Sequence, residues 1–216
     1  MKTLFCCQLL LLGNASAETP ILLPKSARGY TLELDRKPLE AGSKLKDVRH
    51  EDEGILQIRL LAPDPAKNSR PLVLPLRFAP ASEGGVMACE WSDSGRMVAF
   101  IMACYEPGKD AEHRLFIFTA HAGGFKMLSP PSLTSLKAFK DRGIAKISEL
   151  GHLDTGYSVF GWIGDDILIA PIYGGCLLTD DLPAGEWREL HGVVVYDISA
   201  KGRVAVRKIM NLRVQG

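Results

Sequence analysis

The chain has no excess charge of either sign, no apolar run long enough to span a bilayer as a helix, and too few cysteines for a stapled scaffold. Each shortage removes a class of protein. Its 216 residues carry 26 Lys and Arg against 25 Asp and Glu, so there is no electrostatic footprint for nucleic acid or for an anionic membrane surface. The leading apolar stretch, Leu4 to Leu12 with Gln8 inside it, is about half of the ~20 residues a spanning helix needs. No G-x-S-x-G elbow places a serine nucleophile. The glycine pairs Gly84-Gly85, Gly123-Gly124 and Gly174-Gly175 lack the Lys and following helix of a phosphate loop. His50, His113, His121, His152 and His191 include no pair at helical i, i+4 or strand H-x-H spacing, the arrangements that aim two imidazoles at one metal. No cofactor or metal site is expected.

The first residues say where the chain goes. Lys2, the apolar stretch and the small triplet Ala15-Ser16-Ala17 before Glu18 form the three regions of a secretory signal peptide. Residues 1–17 are expected to be removed, leaving 18–216 as a single mostly-β domain exported to a periplasm or the extracellular space. Lipid attachment at Cys6 or Cys7 is disfavoured: Phe5, not a small residue, precedes Cys6, and the apolar run has barely begun. Removing Lys2 leaves 25 basic residues against 25 acidic ones, and no net charge. Cys89, Cys104 and Cys176 remain, an odd number in an oxidising compartment, so a disulfide framework is excluded.

With 46% hydrophobic and 24% charged residues the remainder has the composition of an ordinary folded core. Short branched and aromatic runs bounded by Gly, Pro, Asn and Asp predict strands at Tyr30–Leu34, Ile55–Leu60, Leu72–Leu76, Val86–Trp91, Met97–Ala103, Leu115–Thr119, Ser158–Trp162, Ile167–Ile172, Val193–Ile198 and Val204–Ile209. Pro75 marks its strand as an edge or a bulge. One segment differs: Leu133, Leu136, Phe139, Ile144, Ile147 and Leu150 recur at helical spacing after Ser132, predicting a helical segment over 133–150 with a possible break at Gly143.

The stretch from Ala88 to Phe100, with Trp91-Ser92-Asp93-Ser94-Gly95 at its centre, resembles the blade motif of TolB-like and prolyl-oligopeptidase-type β-propellers. Ser94 stands where the motif usually has Asp, and Asp93 where it has Pro. In such a motif the Trp anchors an inner strand and the glycine closes a tight hairpin at positive φ. Strands at His113–Phe118 and Phe125–Leu128 would complete a four-stranded unit. A looser second copy spans Tyr157–Trp162, the tip Gly164-Asp165-Asp166, Ile167–Ile172, Val193–Asp197 and Val204–Val206. A degenerate third precedes Ala79. Propellers typically close with four or more blades. The expectation is therefore an incomplete or open propeller of antiparallel four-stranded sheets, with a β-sandwich as the alternative.

The resemblance implies a binding platform for another protein or an envelope component. The rival reading is a small secreted hydrolase with an unrecognised site around His152, Asp154 and Asp165, since His152 and Asp154 share a side of an extended segment. Aligning the two copies on Trp91 and Trp162 also places Cys104 and Cys176 just past equivalent strands, which suggests a disulfide between them. The acidic cluster beginning at His50 reads as a solvated loop.

Overall fold

Gly29, Gly95 and Gly202 take left-handed φ of 80, 67 and 76°, and each ends the same four-residue turn, Ser26–Gly29, Ser92–Gly95 or Ser199–Gly202. In every case the glycine N–H donates to the serine carbonyl, the serine N–H reaches across to the returning strand, and the serine hydroxyl accepts from that strand's first amides. Glycine is needed because a Cβ at this φ meets the backbone. A turn so closed sends the chain back antiparallel. The computed structural model describes residues 20–38, 53–77, 86–104, 112–121, 124–131, 137–151, 159–178 and 187–215. The expected signal peptide lies outside them.

Three antiparallel meanders follow in chain order. The first is β1 (Ile21–Leu22), β2 (Thr31–Pro38), β3 (Glu53–Leu61) and β4 (Leu72–Arg77); the second is β5 (Val86–Trp91), β6 (Met97–Cys104), β7 (Glu112–His121) and β8 (Gly124–Leu128). A one-turn helix, α1 (Lys137–Lys140), leads to the third, made of β9 (Ile144–Gly151), β10 (Gly161–Ile163), β11 (Ile167–Leu178), β12 (Arg188–Ile198) and β13 (Val204–Gln215). β10 pairs with the start of β11, β9 with its far end, and both lie along the same edge of that strand, opposite β12.

The sheets stack face to face with the second in the middle. Its strand β6 points Val98, Phe100 and Met102 at Leu32, Leu34, Leu56, Ile58 and Leu60 of the first sheet. Its other face puts Ala99 and Ile101 against Leu168, Ala170, Ile172, Val194 and Tyr196 of the third. A strand covered on both sides has no polar face to keep, so β6 reads as one continuous apolar run. β2 and β3 instead alternate, with Glu33 and Arg59 outward and in contact at 3.3 Å, because only their inner face is covered. The chain is thus mostly β, an open, propeller-like stack of antiparallel sheets, two of four strands and one of five. The degenerate unit before Ala79 is the complete first sheet.

The expected helix over 133–150 is corrected. Among the described residues of 133–150 helix is confined to α1, and 144–151 form strand β9. Gly143, at φ 69°, ends the helical turn, and Ile144 then enters the ladder opposite Leu178. Phe139 and Ile144 are both buried in the core between the second and third sheets, which is why their spacing resembles one helical stripe. Pro75 falls on β4, an edge strand paired with β3 among the described residues, the kind of strand in which proline is tolerated.

Candidate functional site

The turns at one end of the stack touch one another. Ser26 and Arg28 of the first turn lie against Gly95 of the second, where an added Cβ would sit 3.2 Å from the Ser26 Cβ and 3.3 Å from the Arg28 amide nitrogen. The second turn meets the third tip, Gly164–Asp166, through the Asp93 N–H on the Gly164 carbonyl at 3.4 Å and the Ser94 N–H on Asp165 Oδ1 at 3.0 Å. The result is a continuous ridge whose exposed residues include Arg28, Asp93, Arg96 and Asp166. Below the ridge, each tryptophan ties its sheet to the preceding one. The Trp91 indole N–H donates to the Pro24 carbonyl at 2.7 Å, and Trp162 donates to the Glu90 carbonyl at 2.9 Å. Pro24 and Glu90 each stand two residues before a turn serine, so the same bond is made twice on equivalent atoms.

Asp165 is the one member of the suspected hydrolase site within the described residues; His152 and Asp154 lie outside them. Partial burial opposes its charge. Hydrogen bonds from the Ser94 and Ser92 hydroxyls and the Ser94 amide, with the Arg96 guanidinium nearby, outweigh that burial and hold the carboxyl below the usual aspartate range. A carboxylate held ionised by such donors is a poor proton carrier near neutral pH. Here it binds two sheets together. Asp165→Ala is expected to cost about 1–3 kcal/mol, because donors around the buried Ser92 lose their acceptor. Urea unfolding at neutral pH measures this. The folded carboxyl has a lowered pKa, so its contribution is complete above the ordinary aspartate range and fades as pH falls through the folded value. The gap between wild type and Asp165→Ala should therefore narrow in acid.

Cys89 packs beside Trp91 at the edge of the first core. Burial, reinforced by the neighbouring Glu90 charge, pushes its thiol up to about 12 from 9.0. Alkylation at Cys89 is thus expected to be slow at mildly alkaline pH, with about a thousandfold less thiolate than a free thiol, and fast in denaturant. Peptide mapping after a timed iodoacetamide pulse checks this; equal labelling in both conditions would refute it. Cys176 is buried in the second core, within β11 and not past its end. The side chain of Cys104, its suggested partner, lies outside the described residues.

Beside the third tip an open cleft is lined by Asp166, Asp197, Ser199 and Arg203. Asp197 is engaged by Arg207 at 3.4 Å. Farther along the same sheet His191 contacts Glu189 at 3.1 Å. Among the described residues, no three His, Cys, Asp or Glu side chains are grouped to hold a metal ion, and no helix is long and apolar enough to cross a membrane. Comparison with family models, curated proteins and solved structures finds no match.

Reasoning from the sequence singled out Trp91, Trp162 and the glycine of the second turn, and the structure brings all three to the junctions between sheets. It missed the turn serines. The signal was present as Ser-x-x-Gly at 26, 92 and 199, a repeat that a search for aromatic blade motifs passes over.

Proposed function

We propose that the chain is an exported, non-enzymatic binding module that presents the ridge of hairpin tips to another protein or to an envelope component. The observation that carries this reading is the ridge itself: three tips side by side, the first packed against the second and the second hydrogen-bonded to the third, with Arg28, Arg96 and Asp166 outward. A surface fixed before its partner arrives loses little ordering entropy on binding. Mixed charges at its rim favour selectivity over indiscriminate adhesion. The signal-peptide pattern of residues 1–17 supports export, with a bacterial periplasm as the preferred destination. The likeness of 88–100 to TolB-like blades supports a binding platform.

The test is capture of a partner from an envelope extract by the purified protein, repeated with Arg28→Glu and Asp166→Arg. Both side chains are exposed, so the fold should survive while a specific partner is lost. Capture that ignores both substitutions, or turnover in a broad hydrolase screen without any capture, would sink the proposal.

A further inference from the structure

The stack has two end faces, and they differ in a way that the inner packing explains. On the outer side of the first sheet, Glu33 and Arg59 alternate with the buried leucines, and the exposed apolar residues are Leu22 and Val73, 61% and 46% accessible. On the third sheet the sequence does not alternate. Ile167 to Ile172 and Val193 to Tyr196 are apolar on both faces, like the doubly covered β6. Yet only one of those faces meets the second sheet. On the outward side lie Ile163, 56% accessible, and the partly exposed Ile167, Ile169, Val193 and Met210, beside Pro171, Leu177 and Val195, which are buried. A half-covered strand with a doubly apolar sequence signals a missing layer.

The repeated tryptophan bond says what kind of layer. The acceptor is always the carbonyl two residues before the turn serine or, equivalently, one before the tryptophan: Pro24 in the first sheet and Glu90 in the second. In the third sheet that position is Gly161, next to Trp162. A Cβ added to Gly161 would point outward and meet nothing within 4 Å. The donor position in the first sheet, one residue before Ser26, holds the exposed Lys25, whose ammonium is also a hydrogen-bond donor. Among the described residues, the first sheet thus carries a donor with no sheet before it, and the third an acceptor with none after it. The two outer faces also differ in charge: Lys208 and Arg213 stand on β13 of the third sheet beside the Arg207–Asp197 pair, while Asp35 stands on β2 of the first beside the Glu33–Arg59 pair.

We propose that the outer face of the third sheet docks on the outer face of the first sheet of a second copy, so that two chains close a ring of six sheets. Lys25 of each copy then donates to the Gly161 carbonyl of the other. Three sheets fall short of the four to eight that propellers typically close with, and twice three lies within that range. Two copies related by a two-fold axis make this contact twice and leave no sheet face open. The inference rests on the stacking and not on the binding function proposed above.

Sedimentation equilibrium of the purified protein tests it, with Leu22→Arg and Ile163→Arg as single variants and as a mixture. Both sites are exposed, and thermal unfolding confirms that each variant is folded. The wild type is expected to be a dimer in the micromolar range. Each variant should dissociate at least about tenfold more readily, and the mixture should recover a heterodimer through its one intact junction. Lys25→Ala should weaken the dimer less than either arginine. A monomeric wild type, a dimer indifferent to both arginines, or polymers larger than two chains would each overturn the proposal.

Discussion

Phe100→Ala is expected to cost about 3–5 kcal/mol, the range for truncating a fully buried aromatic, in a domain of a size that usually has only 5–15 kcal/mol in total. Phe100 is wholly inaccessible and stands on β6, the second strand of the middle sheet. Its ring stacks between Phe116 at 5.0 Å and Phe118 at 5.8 Å, centroid to centroid, and faces the leucines of the first sheet. The cavity left by alanine would be walled by two sheets whose spacing is held at the ridge by the Trp91 and Ser26 contacts, so it could not collapse cheaply. Urea unfolding followed by circular dichroism measures the loss. Lys67→Ala is the control: its ion pair with Asp64 at 3.4 Å joins two exposed side chains and should be worth under about 1 kcal/mol. If Phe100→Ala cost no more than Lys67→Ala, the middle sheet would not be a doubly covered layer.

That layering was half legible in the sequence. Runs such as Leu32-Glu33-Leu34 and Leu56-Gln57-Ile58-Arg59-Leu60 announce a strand with one wet face, and Met97 to Met102 announces a strand with none. Where the reading failed, local pattern and tertiary pairing disagreed. From Phe139 to Leu150 the apolar residues do fall at helical intervals, but Ile144 and Ile147 are β-branched and the far end of β11 offers an open edge. Pairing along that edge wins over a helical repeat already interrupted by Gly143. The two residues of β1 were too few for any periodicity to show. They are found only through their partners, Leu34 and Glu33.

The junctions were less legible than the strands. A tryptophan at the end of an inner strand reads as an anchor, but the atom it anchors to, a carbonyl 67 or 72 residues earlier in the chain, has no side-chain signature. Asp165 stands out in the sequence by its place in an acidic tip, not by its partners. Acidic residues in a Gly-rich tip suggest chemistry or a simple turn, and only the register of the neighbouring sheet shows that Ser92 and Ser94 supply its hydrogen bonds. Groups recruited across sheets are spelled out in three-dimensional proximity, which one sequence does not display.

Gly95→Ala should reveal whether the ridge is a packed unit or three turns that merely share an end. Two costs meet at this residue. Its φ of 67° lies where an L-residue loses about 1–2 kcal/mol. The new Cβ would also press on the Ser26 side chain and on the backbone nitrogen of Arg28, at 3.2 and 3.3 Å, and crowding of this kind adds about 1–3 kcal/mol. The backbone cannot swing aside as the end of a long side chain would, so a total of about 2–5 kcal/mol is expected from these two sources. Gly164 separates them. It has nearly the same φ, 64°, but its nearest neighbour would be the Asp166 carboxylate at 3.4 Å, an ordinary contact. Gly164→Ala should therefore show the conformational cost alone, about 1–2 kcal/mol. The difference between the two variants, read from urea midpoints at equal slope, is the contribution of the first turn pressing on the second. Equal losses would mean that the turns do not bear on one another, and the rigid ridge on which a partner is proposed to dock would have no physical basis.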